Sequence, residues 1–298
     1  MTPLSEPHKN EHPSAYFVQD RSNEEEMTRL HLQDQLLTAS MGGVLLEQTE
    51  PESFRRVLDV GCGTGDWLLE VAKTSPSISL LIGVDISKKM VDYARHQAEV
   101  QGVSDRVEFH VMDALRMLEF PTSFFDLVNQ RFGASFVRTW EWPKLLDEYK
   151  RVCKRGGVIR VTEADFLAGS SSPAFSHLNQ LFLEAFHQSG RYYTPDGNAV
   201  ISQLVRLLSQ HDIRGVQTRA YRLDYRAGTP SGDDFVENQK LIFRTALPFL
   251  RRWLRVPDNY EEIYQQMLVE MQQPDFVATW ELLTAWGAGP GYDLIRNE

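Results

Sequence analysis

The first half of the chain alternates short apolar runs with longer stretches of helical periodicity. The apolar runs lie at residues 57–60, 79–84, 107–111, 124–130 and 158–163. Runs of this kind predict strands that are covered on both faces, and their alternation with helices predicts a parallel sheet. We therefore predict an α/β fold with a doubly wound, Rossmann-like sheet over about residues 55–165.

The second half of the chain is mainly helical in pattern. Helical stretches at about 174–189, 196–210, 233–254 and 259–272 accompany two more strand patterns, at about 216–225 and 276–287. We expect the two strands to join the sheet and the helices to form a cap. Residues 1–22 are polar and proline-bearing, which favours a flexible N-terminal arm.

A glycine-rich turn follows the first predicted strand. Residues 56–66 read RVLDVGCGTGD, and the turn contains Gly61, Gly63 and Gly65. Glycines allow a tight turn and a close approach of a ligand, and a nucleotide-like ligand is expected on such a strand–turn–helix unit. A dinucleotide fingerprint would have a third glycine where this chain has Asp66, and Asp59 and Asp66 would repel a pyrophosphate. The pattern favours a cationic ligand without phosphate.

This strand–Asp59–glycine pattern resembles the first motif of class I S-adenosylmethionine-dependent methyltransferases. Asp85 at the end of the second strand, Asp113 after the third, and the helix–Gly-Gly–strand unit at 142–163 extend the resemblance. Within this family, the chain is similar to the branch that acts on quinones, sterols and natural products. The resemblance implies a mostly parallel sheet whose last strand is antiparallel, and S-adenosyl-L-methionine as cofactor, with S-adenosyl-L-homocysteine as product.

Specific residues are expected to hold that cofactor. Asp85 comes where the ribose would present its hydroxyls, and the resemblance implies that Asp113 accepts from the adenine amino group, although it is also suited to cap a short helix. Gln33 lies on a helix predicted from Asn23 to Ser40, either as a buried amide or as a ligand contact from a helix that closes over the cofactor. The predicted cofactor-binding residues are Asp59, Gly61, Gly63, Gly65, Asp85, Ile86, Met112, Asp113, Ala114, Asn129 and Gln33.

The cap carries the candidates for the methyl acceptor. Most of its aromatic residues are expected in the core, with a few lining an apolar pocket: Phe175, Phe182, Phe186, Tyr192, Tyr193, Tyr221, Phe235, Phe243, Phe249 and Trp253. Arg244, Arg251 and Arg255 fall near one helical face. They form either a solvated face that pairs with the acidic run at 258–262 or, if turned inward, a site for a carboxylate or phosphate.

An acceptor that loses a proton needs a base. The rim offers Glu163, Asp165, His177, His187, Tyr192 and Tyr193, of which we select His177 and Glu163 as candidate catalytic groups. No cluster of histidines and carboxylates has the spacing of metal ligands, so no metal is predicted. The predicted reaction is an in-line transfer of methyl to oxygen, nitrogen or carbon of a small, largely apolar molecule that the cap positions.

The amino-acid composition limits the classes of binding partner that we expect. Lys and Arg number 31 and Asp and Glu 41, a net charge of −10, which disfavours nucleic acid. The chain has two cysteines and no long apolar stretch, so we expect a cytoplasmic protein without a membrane span. The predicted units are 1–22 (arm), 23–165 (lid helix and cofactor-binding core) and 166–298 (cap and last two strands). The oligomeric state stays open, and the alternatives are an NAD-dependent oxidoreductase and a catalytically silent adenosylmethionine-binding protein.

Overall fold

The computed structural model describes residues 16–18, 24–164, 169–195 and 200–290. Its helices are α1 (Glu24–Met41), α2 (Asp66–Thr74), α3 (Lys88–Val100), α4 (Trp142–Val152), α5 (Pro173–Gln188), α6 (Ile201–Gln210), α7 (Pro230–Thr245), α8 (Leu247–Trp253) and α9 (Tyr260–Glu270). Its strands are β1 (Arg56–Val60), β2 (Leu80–Asp85), β3 (Val107–Val111), β4 (Phe125–Arg131), β5 (Cys153–Ala164), β6 (Gly169–Ser170), β7 (Arg214–Arg226) and β8 (Val277–Ala288).

The strands form one sheet in the order β3-β2-β1-β4-β5-β8. β6 pairs with the same edge of β8 as β5, further along the strand, and β7 pairs with the opposite edge of β8. β1 to β5 run parallel to one another, whereas β8 is antiparallel to β5, β6 and β7. The predicted α/β fold, with a mostly parallel sheet, an antiparallel last strand and a helical cap, is confirmed.

The central strands are apolar because both faces of the sheet are covered. Val57 of β1 packs into the cluster built with α2 and α3, whereas the next residue, Leu58, packs into the larger cluster on the opposite face. Both side chains are fully buried. The parallel strands therefore end together at one edge, where β1 runs into the glycine turn and β5 ends beyond Glu163.

The aromatic residues of the cap form a core that includes the segment Tyr16–Val18. The Phe17 ring lies 6.3 Å from that of Phe182, 5.5 Å from that of Phe186 and 6.0 Å from that of Phe249. Phe17 is 3% exposed, so this part of the predicted flexible arm is packed. The rest of residues 1–22 lies outside the described residues.

The helix predicted over 233–254 is two helices. α7 ends at Thr245, and α8 begins at Leu247 with Pro248 in its first turn. Proline has no amide hydrogen to continue the hydrogen bonding of a preceding helix, and it fits a helix start. In the described part of the chain, no helix is long and apolar enough to cross a membrane.

Candidate active site

A cavity lies at the carboxyl ends of the parallel strands. It is lined by the glycine turn, by the residues that follow β2, β3 and β4, by Glu163 at the end of β5, and by side chains from α1, α7 and β8. Its empty volume, including the opening to solvent, is about 1480 Å³. The sheet thus brings residues that are far apart in the sequence to one site.

The three glycines of the turn have different roles. All have positive φ angles, of 70° at Gly61, 53° at Gly63 and 81° at Gly65. Gly61 and Gly63 line the cavity, but Gly65 does not. A Cβ atom on Gly65 would lie 2.7 Å from the Phe109 ring. Gly65 allows α2 to pack closely on β3, and its contact with the cofactor stays a prediction.

Asp85 ends β2 and faces the cavity together with Ile86. One carboxylate oxygen accepts a hydrogen bond of 3.1 Å from the backbone amide of Gly63, and the other accepts one of 2.8 Å from that of Ser87. These contacts fix the carboxylate against the glycine turn. Asp85 is partly exposed and lies on the cavity wall, where its carboxylate can meet a ligand.

Met112, Asp113 and Ala114 follow β3 and also line the cavity. The Asp113 carboxylate accepts a hydrogen bond of 3.0 Å from the amide of Leu115 and lies 3.4 Å from the Arg116 guanidinium. Asp113 therefore stabilises the local turn, as the alternative interpretation expected, while it remains on the cavity wall.

Asp59 faces the cavity from β1 and is held from behind by Asn129. The Asn129 amide donates to the Asp59 carboxylate over 2.7 Å, and the Arg160 guanidinium donates to the Asn129 amide oxygen over 2.7 Å. Arg160 also pairs with Glu47 at 2.5 Å. Burial raises the pKa of Asp59 to about 7, although Asn129 and Arg160 oppose the shift. Asn129 itself is fully buried and does not line the cavity, and its predicted cofactor contact stays a prediction.

Glu163 is buried at the end of β5 and lines the cavity. Its Oε1 atom accepts from the Gln130 amide at 3.1 Å and from the Gly133 backbone amide at 2.6 Å, and its Oε2 atom accepts from the Ala134 backbone amide at 3.3 Å. Burial raises the pKa of Glu163 to about 7, against the effect of these hydrogen bonds. A carboxylate with this pKa changes protonation near neutral pH.

The backbone that holds Glu163 is a turn, here called the Phe132–Phe136 turn, which sequence reasoning missed. Phe132 adopts a left-handed conformation with φ 56°, and a Cβ atom on Gly133 would lie 2.3 Å from the Gln130 side chain. At its far end, the Phe136 ring packs against Gly61. The one local sequence signal for this turn was Gly133, which follows a strand that ends in polar residues.

Helix α1 covers the cavity and contributes Arg29, Leu30, Gln33 and Asp34 to its lining. The Arg29 guanidinium donates to the Gln33 amide oxygen over 2.6 Å, so the NH₂ group of Gln33 is the part left to donate to a ligand. Asp34 forms an ion pair with Arg131 at the end of β4, which also lines the cavity.

Further polar contacts fix α1 to the core and to the cap. His31 lies 2.6 Å from the Asp66 carboxylate at the start of α2. Glu26 is completely buried and accepts two hydrogen bonds from Arg29, at 2.8 and 2.7 Å, and one from Thr245 of α7 at 3.1 Å. The helix is thereby connected to both sides of the cavity.

Comparisons with known proteins bear on this arrangement. Residues 57–157 match a family described as a methyltransferase domain. An aklanonic acid methyltransferase from Streptomyces sp. (strain C5) is 34% identical over 130 residues, which are 44% of this chain and 57% of that protein. A demethylmenaquinone methyltransferase from Porphyromonas gingivalis is 32% identical over 119 residues, 40% of this chain and 47% of that protein. The chain spans about half the length of these curated relatives.

The solved structures agree on the fold. The YcgJ protein from Bacillus subtilis superposes with a TM-score of 0.52 at 21% identity, over 88% of this chain and 99% of that one. Over this domain the chain resembles class I S-adenosylmethionine-dependent methyltransferases. The methyltransferase domain match covers the glycine turn, Asp85 and Asp113.

The structure does not bring all predicted acceptor residues to the cavity. His177 is exposed on α5 and is not part of the lining, because the buried face of α5 carries its apolar residues. His187, Tyr192 and Tyr193 do not line the cavity either, and Asp165 lies outside the described residues. Of the predicted bases, Glu163 is the one on the cavity wall.

The aromatic lining of the cavity also differs from the expectation. None of the ten cap aromatics predicted as core or pocket residues lines the cavity; its aromatic side chains are Tyr16, Phe17, Phe132, Phe136 and Trp280. Arg244, Arg251 and Arg255 are exposed, and Arg244 pairs with Glu25 of α1 instead of the acidic run at 258–262. Within the described ranges, no three His, Cys, Asp or Glu side chains are placed to hold a metal ion.

Proposed function

We propose that this protein transfers a methyl group from S-adenosylmethionine to oxygen, nitrogen or carbon of a small, largely apolar molecule. The observation that carries the proposal is that one cavity joins the acidic glycine turn to an apolar chamber beneath α1. The acceptor is a small molecule and not a nucleic acid, because the site is a covered cavity in an acidic chain.

The glycine-turn side of the cavity fits the methyl donor. Asp59 and Asp85 give this side negative charge, and Gly61 and Gly63 leave room for a ligand close to the backbone. Asp85 would bind the ribose hydroxyls, and the segment Met112–Ala114 would contact the adenine. S-adenosylmethionine supplies an electrophilic methyl group on a positively charged sulfonium, which the neighbouring carboxylates favour.

The opposite side of the cavity fits an apolar acceptor. Phe17, Phe132, Ile242 and Trp280 line it, and Glu163 is the carboxylate among them. Small-molecule sites commonly combine such apolar walls with a few polar groups that fix orientation. The side chains therefore support a flat or branched hydrocarbon framework with one reactive polar group that faces Glu163.

Glu163 is proposed as the proton acceptor. Its Oε1 atom already accepts two hydrogen bonds, whereas Oε2 accepts one, of 3.3 Å, and has capacity for another. The acceptor oxygen or acidic carbon would form its bond to the methyl carbon as the bond between that carbon and the sulfonium sulfur breaks and S-adenosylhomocysteine leaves, and the acceptor's proton would pass to Oε2. The acceptor is thus held in line with the methyl group, and α1 acts as a lid that excludes water.

The reaction can be tested by incubating the protein with S-adenosylmethionine and a panel of apolar phenols, enols and amines, and measuring S-adenosylhomocysteine. We expect acceptor-dependent product, and a loss in kcat of about 10²- to 10⁴-fold for Glu163→Gln with phenols and enols. His177→Ala is the matched control and should keep full activity because His177 is outside the cavity. Cofactor binding without product for any acceptor class would instead favour a silent binding protein.

A further inference from the structure

A basic surface with an exposed tryptophan lies on the outside of the cavity wall. We call it the Trp140 surface: Arg138, Trp140, Arg252 and Trp253. Arg191, which is only 3% exposed, lies behind this surface. Trp140 is 63% exposed and is the one aromatic residue among the strongly exposed large apolar side chains of the described ranges.

Trp140 is held in this exposed position by the backbone around it. The backbone amide of Thr139 donates to the Gly190 carbonyl over 2.8 Å. The Trp140 ring lies directly on Gly190, where an added Cβ atom would be 2.4 Å away. The indole is therefore supported from below while its other face meets solvent.

Arginines surround the tryptophan. The Arg138 guanidinium lies 5.6 Å from the centre of the Trp140 ring, and that of Arg252 lies 5.8 Å from the Trp253 ring. The buried Arg191 connects these groups, because its guanidinium lies 5.1 Å from the ring centre of Phe249 on α8, the helix that carries Arg252. Burial and then Arg138 lower the pKa of Arg191 to about 10; Glu141 opposes the shift, and Arg252 adds a smaller lowering. Among described residues, Arg138 and Arg252 have no acidic partner in an ion pair.

The Trp140 surface shares a wall with the acceptor chamber. The Arg191 guanidinium donates to the carbonyl of Ser135 over 3.4 Å, and the amide of Phe17 donates to the same carbonyl over 3.1 Å. Ser135 and Phe17 both line the cavity. One turn of backbone thus separates the exposed basic surface from the chamber that we assign to the acceptor.

We propose that the Trp140 surface docks the protein on anionic lipid bilayers, in which its apolar acceptor is dissolved. This inference rests on the proposed function. Charge complementarity supports an anionic occupant, since the surface is basic although the whole chain has a net charge of −10. Two tryptophans beside arginines suit the headgroup region of a bilayer, whereas a stable protein interface needs a larger apolar centre.

The test is co-sedimentation of the full-length protein with vesicles of phosphatidylcholine, with and without phosphatidylglycerol. We expect binding to the anionic vesicles alone, and weaker binding as salt is raised. Arg252→Gln should reduce vesicle affinity roughly fivefold, as for one charge near a membrane surface, and the double variant W140A/R252Q should no longer sediment. The control M117A/R222Q changes an exposed apolar residue and an exposed arginine elsewhere, and should bind like the unmodified protein.

Absence of binding to anionic vesicles, or a W140A/R252Q variant that sediments like the unmodified protein, would overturn the proposal. Retention on nucleic acid or an acidic protein in place of vesicles would assign the surface to that partner and overturn it too. S-adenosylhomocysteine formation is measured in a separate assay with an acceptor dispersed in water. A failure of membrane docking can therefore be distinguished from a failure of the proposed methyl transfer.

Discussion

The side-chain amide of Asn129 donates a hydrogen bond of 2.7 Å to the carboxylate of Asp59 and thereby joins the glycine turn to a buried polar chain. The chain continues from Asn129 through Arg160 to Glu47. It orients Asp59 towards the cavity, and burial still raises the pKa of Asp59 to about 7. A cationic ligand beside this group would favour its ionised form.

Adenosylmethionine affinity is therefore expected to depend on pH. Below about pH 7 Asp59 is increasingly protonated, so affinity should fall about tenfold for each pH unit well below this value, and binding near pH 7 should release a proton. Calorimetry in buffers of different ionisation heats measures both. Asp59→Asn should bind weakly with little dependence on pH between about 5.5 and 8; an equally steep profile in this variant would exclude Asp59 as the titrating group.

The stability of the ligand-free protein should decrease as the pH rises towards 7. The pKa of Glu163, about 7, is raised by burial above its ordinary value, so its contribution is fully present below about pH 4.3 and is lost as pH rises through 7. Urea unfolding at several pH values measures the free energy. Glu163→Gln should make the decrease between about pH 5.5 and 8 shallower, with the part due to Asp59 remaining, and the exposed control Glu99→Gln should not change it; parallel profiles for the two variants would contradict this account.

Substitutions at two glycines of the turn should have different effects on stability and on cofactor binding. In Gly65→Ala the new Cβ atom would meet the Phe109 ring at 2.7 Å, so we expect a loss of about 2 to 3 kcal/mol in the free energy of unfolding. In Gly63→Ala no neighbouring atom is nearer than 4.0 Å, and the loss should be about 1 kcal/mol. Calorimetry should show the larger loss of adenosylmethionine affinity in Gly63→Ala, because Gly63 lines the cavity. The reverse ranking of affinities would place the ligand elsewhere.

The ion pair between Asp34 and Arg131 should contribute to holding α1 over the cavity. Both side chains are largely buried, and the Arg131 guanidinium lies 5.8 Å from the ring centres of Trp67 and Phe132. Asp34→Asn leaves this charge unpaired and should lower the free energy of unfolding by about 3 kcal/mol. The exposed pair of Lys88 and Asp92 is the control, and Asp92→Asn should cost less than about 1 kcal/mol. Urea unfolding compares the two; equal losses would mean that the buried pair has no special role.

The sequence predicted the features that depend on local pattern. Strands β1 to β5, the glycine turn and the position of Asp85 follow from apolar runs and glycine spacing along short segments. The Phe132–Phe136 turn could not be predicted in this way, because its conformation depends on Glu163 of another strand and on space beside Gln130.

Side-chain direction was the other limit of prediction. Residue type made His177 a candidate base, but the packing of α5 against the cap turns it outward. Phe17 stood in a polar segment that suggested a flexible arm, yet its contacts with the cap bury it beside the cavity. Whether such a side chain is buried or exposed depends on which distant helices and strands pack together. The periodicity of the sequence carries no information about those contacts.

The measurement that tests the central claim most directly is calorimetric titration with S-adenosylmethionine, S-adenosylhomocysteine and NAD in parallel. We expect micromolar binding of the first two and none of NAD. Asp85→Ala should weaken binding at least tenfold, because it removes the carboxylate proposed to hold the ribose, and the exposed control Asp105→Ala should not. Binding of NAD alone, or unchanged affinity in Asp85→Ala, would contradict the assignment of this cavity to adenosylmethionine.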